Sequence, residues 1–241
     1  MKLITLNTWG GRVHKKLLKF LEENQDVDIF CLQEIYNGAK TEKIDPEFLQ
    51  DAFNLYSDIK DTLSNHIGYF RPHIEDWYGL AIFVKKGVQV KKEGDISIYD
   101  IEYTGAGNHP RNLHYIEFEN DGKKIIVANV HGLWNGKGKT DTEERIIQSQ
   151  KIKEFMDSVD GGKVLCGDFN LLPCTESVKI LEDGMKNLIK EYDVESTRTS
   201  LYTKPEKHAD YIFTSPDLNV VDFKVLPDEV SDHSALYLEF N

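Results

Sequence analysis

Along the chain, apolar residues recur in two rhythms, at every second position or at every third and fourth, and the changes of rhythm divide it into strands and helices. Lys2 to Asn7 alternates as a strand, and Val13, Leu17, Leu18 and Leu21 then recur at helical spacing up to Asn24. Asp28-Ile29-Phe30-Cys31-Leu32 is apolar enough for a strand buried on both faces, closing on Gln33-Glu34. Asp45-Pro46 predicts the start of a second helix with Phe48, Leu49, Ala52, Phe53 and Tyr56 on one face, because proline fits the first helical position. Ile67 to His73, Gly79 to Lys85 and Val88 to Tyr99 read as strands, with Glu75-Asp76-Trp77-Tyr78 as an exposed loop between the first two. Asp100 to Pro110, with Gly105 and Gly107, reads as a loop. Arg111 to Glu119 and Lys123 to Val130 form a hairpin around Asn120-Asp121-Gly122. Thr140 or Asp141 is expected to cap a long helix carrying Ile146, Ile147, Ile152, Phe155, Met156 and Val159, which Gly161-Gly162 terminates. The strand Lys163 to Cys166, a helix from Thr175 to Asp183, and strands Ala209 to Thr214, Leu218 to Val225 and Ala235 to Phe240 complete the chain.

Strand, helix, strand is thus the plan of both halves, and the strands end on polar residues: Asn7, Glu34, His131, Asp168, Asn170, Asp210, Asp232 and His233. In Gly167-Asp168-Phe169-Asn170, strand alternation would project Asp168 and Asn170 to the same side. A carboxylate beside a carboxamide can orient a water, take its proton and bond a charged oxygen. Taken alone, the four residues also suit a plain polar turn. Glu34, a lone carboxylate after a buried strand, is the natural metal ligand, and oxygen donors without a Cys cluster or a His-x-x-x-His pair point to Mg²⁺, with Mn²⁺ as the alternative. Asp210 could orient the His233 imidazole, with His131 opposite, so that two imidazoles share the charge on one phosphorus. The remaining histidines, His14, His66, His73, His109, His114 and His208, read as surface or internally satisfied residues.

The loop Gly132 to Lys139 starts beside His131, and in it Trp134 offers a flat face while Lys137 and Lys139 offer charge to a phosphate. Composition limits what such a subsite serves. A net charge of −12 opposes tracking along a nucleic-acid backbone, although carboxylates around a bound cation would still present a local positive field. The 241 residues, 40% hydrophobic, can bury a substantial core, and the absence of a linker or repeat makes residues 1–241 one domain. No apolar stretch approaches the ~18 to 20 residues of a membrane helix, and the N-terminal run reaches Asn7 too soon for a signal peptide. Of three cysteines, Cys31 and Cys166 lie in apolar runs, so buried free thiols and a cytoplasmic location are expected over a disulfide framework.

Leu6-Asn7-Thr8-Trp9, Leu32-Gln33-Glu34, Tyr78-Gly79-Leu80-Ala81-Ile82, Arg111, Asn129-Val130-His131, Gly167-Asp168-Phe169-Asn170, Asp210-Tyr211-Ile212 and Ser231-Asp232-His233 resemble, in order, the motifs of the endonuclease/exonuclease/phosphatase superfamily, the deoxyribonuclease-I-like hydrolases. Single motifs are weak; their order from Asn7 to His233 is specific. The resemblance implies an α+β fold, a four-layered α/β sandwich of two facing mixed β-sheets with helices on the outer sides. It further implies a Mg²⁺-dependent hydrolase, phosphodiesterase or phosphatase, in which water activated by the metal and Asp168 attacks a phosphoester directly. In it Asn7 and Glu34 sit at the metal, Asp232 serves as a second-metal ligand, Asn170 holds the phosphate, and Asp210 and His233 act as a pair beside His131. Tyr78 and Arg111 are expected at the substrate. His131 resembles the phosphodiesterase, sphingomyelinase, deoxyribonuclease and phosphatase branches, which abasic-site endonucleases do not share. Arg145 and Gln148, one turn apart, resemble those branches too, or brace the long helix. The expected substrate is short or terminal: a nucleotide end, a small diester or a soluble head group. A nuclease on DNA or RNA is the alternative, and a catalytically inactive binding protein is the second, which loss of a strand-tip residue would favour; none is lost.

Overall fold

The structure, a computed structural model, describes residues 1–40, 50–103 and 109–241. Its strands are β1 (Lys2–Asn7), β2 (Ile29–Tyr36), β3 (His66–Ile74), β4 (Tyr78–Lys85), β5 (Val90–Tyr99), β6 (Arg111–Asn120), β7 (Lys123–His131), β8 (Gly162–Asp168), β9 (Lys186–Asn187), β10 (Asp210–Thr214), β11 (Val220–Val225) and β12 (Leu236–Phe240). The helices are α1 (His14–Glu23), α2 (Leu55–Thr62), α3 (Glu143–Ser158), α4 (Glu176–Glu182) and α5 (Leu188–Glu191). They build a four-layered α/β sandwich. One six-stranded sheet has the order β11-β12-β1-β2-β4-β3 and the other β5-β6-β7-β8-β10-β9. The two strand-helix-strand units are the parallel pairs: β1 with β2 through α1, and β7 with β8 through α3. Each pair runs to the same end of the sandwich, so the polar tips converge there.

Alternation along the strands supplies the layers. Leu3, Ile29 and Cys31 turn inward to the core shared with the second sheet, where Ile116, Val127, Val164 and Cys166 meet them. Ile4, Leu6, Phe30 and Leu32 turn outward beneath Leu17, Phe20 and Leu21 of α1 and Leu55 and Ile59 of α2. Cys31 and Cys166 are buried free thiols, whereas Cys174 is exposed.

Several elements depart from the sequence reading. The helix expected from Asp45-Pro46 falls largely outside the described residues; the described helix begins only at Leu55, because the backbone just before it bonds elsewhere, Ala52 N to Gly10 O and Ala39 N to Phe53 O. Within the loop read at 100–110, residues 104–108 lie outside the described ones. Trp77 and Tyr78 are not exposed: they close an aromatic cluster with Tyr36 and Ile74, and only Glu75 and Asp76 project at the turn. The α3 cap is Thr142, whose Oγ1 accepts from Arg145 N, while Asp141 instead accepts from the first amides of α4, at Glu176 and Ser177. Ile147 is 44% exposed, and the first buried turns of α3 carry Arg145, Gln148 and Ser149, because that end of the helix covers a polar loop and not the sheet.

That loop is the one after His131. Arg145 donates to the carbonyls of Leu133, Gly138 and Thr140, at 3.3, 2.7 and 2.5 Å, and Gln148 Oε1 accepts from Leu133 N at 2.9 Å. The pair therefore braces the loop and not the helix. Arg145→Leu removes three charge-assisted hydrogen bonds from a buried site, a loss of about 3 kcal/mol, or roughly 6–12 °C in melting temperature for a chain of this size. A thermal melt within 2 °C of wild type would show that the loop is held by other means.

Candidate active site

Where the two parallel pairs end, the sheets are joined by buried polar groups. Gln33 Nε2 donates to Asn129 Oδ1 at 2.6 Å, and Asn129 Nδ2 returns donors to Leu32 O and Ala81 O across the sandwich. At the next level Asn7 Nδ2 donates to Glu34 Oε1 and to Asp168 Oδ2, both at 3.0 Å, while its Oδ1 accepts from Trp9 N. One amide thus fixes one carboxylate from each sheet. Gly167, just before Asp168, must be glycine: its φ is +131°, and a Cβ there would stand 2.0 Å from Val130 O on the neighbouring β7.

Three side chains leave the strand ends in the left-handed conformation that non-glycine residues avoid: Trp9 (φ 51°), Glu34 (φ 59°) and Asn170 (φ 54°). Glu34 sits where the β2–β4 register shifts between Leu32 and Ile35, so a bulge turns its carboxylate toward the second sheet. Asn170 does not continue strand alternation as expected. β8 ends at Asp168, and Asn170 N donates to Asp168 Oδ1 at 2.8 Å, a turn that brings its amide back to the same cavity. Both readings of Gly167 to Asn170, polar turn and site, hold together.

The cavity has a volume of about 380 Å³. Glu34, Asp168, Asn170, Asp232, His131 and His233 line it, as do Tyr78, Arg111, Trp134 and Lys139. Asn7 and Asp210 stand behind the wall, bonded to residues that form it. Lys137 does not reach it. The turn through Gly136 (φ 73°) and Gly138 (φ 67°) leaves Lys137 exposed, and its amide bonds Asn135 Oδ1. Trp134 lines the cavity with the Lys204 ammonium 5.4 Å over its ring, so the flat face expected for a base is met by a cation.

The two histidines differ in charge. Arg111 NH1 lies 3.0 Å from His131 Nδ1; a guanidinium only donates, so Nδ1 accepts and the proton is on Nε2. Nε2 faces Glu34 Oε1 and Asp168 Oδ2, each at 3.8 Å. Burial, reinforced by Arg111, holds His131 well below the usual imidazole range, so it is a neutral donor. His233 Nδ1 lies 2.8 and 2.9 Å from the Asp210 oxygens, and its Nε2 is 3.6 Å from Asp168 Oδ2. Burial works against its charge, but Asp210 and Asp168 raise it above the usual value, which keeps the imidazolium. For Asp168, burial alone would favour the neutral acid; the surrounding cations, His233 and Lys139 first, overcome this and hold it below the usual carboxylate range. Glu34 is the reverse case. Burial pushes its carboxyl up to about 7 despite the hydrogen bond from Asn7.

Oxygen donors dominate the floor. Asp168, Asp210 and His233 offer ligand atoms within 4.8 Å of one another. Asp210, however, gives both oxygens to His233 Nδ1 and one also to Thr197 Oγ1, so it serves the imidazole. Glu34, Asp168 and Asp232 remain, and Asp232 Oδ1 is buried with no hydrogen-bond partner among the described residues. These three offer the hard oxygen donors that a divalent cation such as Mg²⁺ takes, spaced more widely than the atoms of Asp168, Asp210 and His233.

The sequence reading missed His109, whose Nδ1 is buried without a partner among the described residues, and Trp9, Arg12, Arg198, Tyr202 and Lys204, all on the cavity wall. The last three fall in the long stretch between α5 and β10, which has no helix or strand of its own. A connection of that length is itself a functional signal.

The model of the endonuclease/exonuclease/phosphatase family matches residues 4–233. Among solved structures, the chain is similar over 100% of its length to the mannosyl-6-phosphatase Bt3783 of Bacteroides thetaiotaomicron VPI-5482, with 19% identity, 99% of that chain covered and a TM-score of 0.73. It is similar over the same span to a humanized D. rerio TDP2, with 18% identity, 98% covered and a TM-score of 0.75. The human Nocturnin catalytic domain with bound sulfate gives 19% identity, 93% covered and a TM-score of 0.71, again over 100% of this chain. No curated protein matches the chain in sequence. No helix among the described residues is long and apolar enough to cross a membrane.

Proposed function

The chain belongs to the endonuclease/exonuclease/phosphatase family, and from that premise we propose that it hydrolyses a short or terminal phosphoester by direct attack of water, with Mg²⁺ or Mn²⁺ as cofactor. The observation that carries this reading is the Asp168 carboxylate, ionised and held at one oxygen by Asn7, with one imidazole on each side of it.

Asp168 Oδ2 accepts a hydrogen from the attacking water and sets its line of approach. Held below the usual carboxylate range, Asp168 is a weak base, but a water whose oxygen is bonding to phosphorus becomes acidic and gives up its proton readily. His233, charged and oriented by Asp210, and His131, neutral with its proton on Nε2, donate to oxygens that gain charge as phosphorus becomes five-coordinate. Asn170 adds an amide donor on the same wall, and Arg111 both orients His131 and brings positive charge to the substrate. Glu34, Asp168 and Asp232 are the residues that would hold the cation. When bound, it neutralises phosphate charge and lowers the barrier to attack by an anionic oxygen.

The small volume of the cavity and the net charge of −12 favour small substrates over the interior of long duplex DNA. The test is a panel of bis(4-nitrophenyl) phosphate, 4-nitrophenyl phosphate, short oligonucleotides and supercoiled plasmid, with and without Mg²⁺. Mg²⁺-dependent turnover of the short substrates, in excess of plasmid nicking at physiological salt, is expected. A folded protein that turns over none of them with either metal would sink the reading, and steep salt dependence with plasmid alone would transfer it to a nuclease.

A further inference from the structure

Lys139 is a cation of the cavity wall that forms no hydrogen bond or ion pair among the described residues. Its residue is 4% exposed, and Nζ is buried without a hydrogen-bond partner among the described residues. Burial accordingly pulls the ammonium below its usual range, while Asp168 is near enough to oppose that shift. The nearest ring is Tyr202, 5.7 Å from Nζ. Arg198 lies over the same ring at 4.1 Å, with NH1 donating to Asp232 Oδ2 at 3.3 Å and Nε buried without a partner among the described residues. Asp232 takes the one hydrogen bond that these two cations make to a carboxylate, and two donors, Lys139 Nζ and Arg198 Nε, remain unspent among the described residues. Holding them so is costly unless an anion completes the arrangement.

This corner borders the reacting centre through Asp168 and Asp232, but Lys139, Arg198 and Tyr202 are not among the groups that contact the phosphorus in the reading above. His131 and Arg111 belong to the wall beside Glu34, whereas Lys139 and Arg198 stand with Tyr202 toward Asp232, and Lys204 continues the positive side outward over Trp134. Three elements bring them together: the loop braced by Arg145, and two places in the long connection before β10. Tyr202 holds both cations against one ring face or the other, which fixes their spacing and reduces the entropy lost on binding.

We propose that Lys139, Arg198 and Tyr202 form a second anion subsite, so that the favoured substrate carries a phosphate monoester in addition to the phosphoester that is cleaved. The inference rests on the phosphoesterase reading for its substrate class, but the subsite itself is a binding site that can be measured without turnover. A phosphate dianion offers acceptors for both unspent donors, and the guanidinium fork is suited to bind two of its oxygens.

Two measurements test it. In EDTA, inorganic phosphate is titrated by calorimetry into wild type, Lys139→Met and Tyr202→Leu. Lys139→Met replaces an unpaired buried ammonium with an apolar chain of similar length, so it should fold and melt above wild type, which controls for misfolding. Phosphate affinity is expected to fall about tenfold or more in Lys139→Met, as for loss of one charged hydrogen bond, and by less in Tyr202→Leu, which keeps both cations but frees them. Next, with Mg²⁺, thymidine 5′-(4-nitrophenyl phosphate) is compared with the same diester carrying a 3′-phosphate. Wild type should prefer the phosphorylated form by about tenfold or more in kcat/KM, mainly through KM, and the ratio should collapse toward one in Lys139→Met. Equal phosphate affinity in wild type and Lys139→Met, or a substrate ratio that the substitution does not change, overturns the subsite. Lys139-dependent phosphate binding with no Mg²⁺-dependent release from either diester would instead keep the subsite and reject the hydrolase reading.

Discussion

Replacing Asp168 with Asn is expected to lower kcat by roughly 10²- to 10⁴-fold, the usual cost of removing a positioned proton acceptor. The substitution is nearly isosteric, and its oxygens are well defined: Oδ1 accepts from Asn170 N at 2.8 Å and Oδ2 from Asn7 Nδ2 at 3.0 Å. An amide can keep only one of these acceptors, so the bond to Asn170 N or the bond to Asn7 is lost while the strands beneath are unchanged. What is lost with certainty is charge. His233 owes part of its raised pKa to Asp168, so in the variant its imidazolium should release the proton at a lower pH, and the alkaline limb of the rate profile should move down with it. The corresponding check is an NMR titration of the His233 ring beside the kinetics. A circular dichroism spectrum like that of wild type, with turnover within about threefold of it, would remove Asp168 from the centre of the mechanism.

Much of this geometry was legible in the sequence because it depends on short-range order. A strand that is apolar on alternate or on all positions announces itself, and a polar residue at its end is visible in the same window; Asn7, His131, Asp168 and Asp210 were found in this way. The two strand-helix-strand units could be recognised as equivalent because each needs a helix long enough to cross over a parallel pair. Features that depend on what lies opposite were hidden. The inward turn of Glu34 comes from a bulge against β4, and no local pattern encodes a register shift. Arg145 and Gln148 look like ordinary helix-surface residues until the loop beneath α3 is known to present its carbonyls and an amide to them. Trp77 reads as loop because of its acidic neighbours, yet it is buried by Tyr36, which is remote in sequence and on another strand.

The same contrast explains the cationic wall. Lys137 and Lys139 are equivalent in sequence, two residues apart in a glycine-containing loop, but only Lys139 turns inward, after Gly138 takes a positive φ. Arg198 and Tyr202 carry no periodic signal because their segment forms neither helix nor strand; an isolated bridge, Arg198 with His233, and hydrogen bonds from Thr197 and Thr199 to Asp210 and Asp232 tie it to the site. Positions in such a segment are set by tertiary contacts, and a reading of residue type and spacing could find the segment but not the side chains.

Glu34→Gln should abolish measurable Mg²⁺ dependence in the accessible range by weakening metal binding at least about 10²-fold, since removal of a group one bond further from a metal already costs 10- to 100-fold. The carboxyl also predicts how the wild type responds to pH. With its pKa raised to about 7 in the metal-free protein, a proton and the cation compete for Glu34. Apparent Mg²⁺ affinity should therefore be flat above that pH and fall by close to tenfold per pH unit below it, and Glu34→Gln should lose this slope along with the affinity. Stability carries the opposite sign in the absence of metal. From the ordinary value of 4.5 to about 7 the native state binds more protons at Glu34 than the unfolded chain does, so the metal-free protein loses stability as pH rises through that window, and Glu34→Gln should remove that loss. Saturating Mg²⁺ should reverse the trend in the wild type by favouring the ionised carboxylate. Calorimetric Mg²⁺ titrations and thermal melts between pH 5 and 8 read both effects. Full turnover after exhaustive chelation, or a Mg²⁺ affinity that does not change across that range, would place the cation away from Glu34.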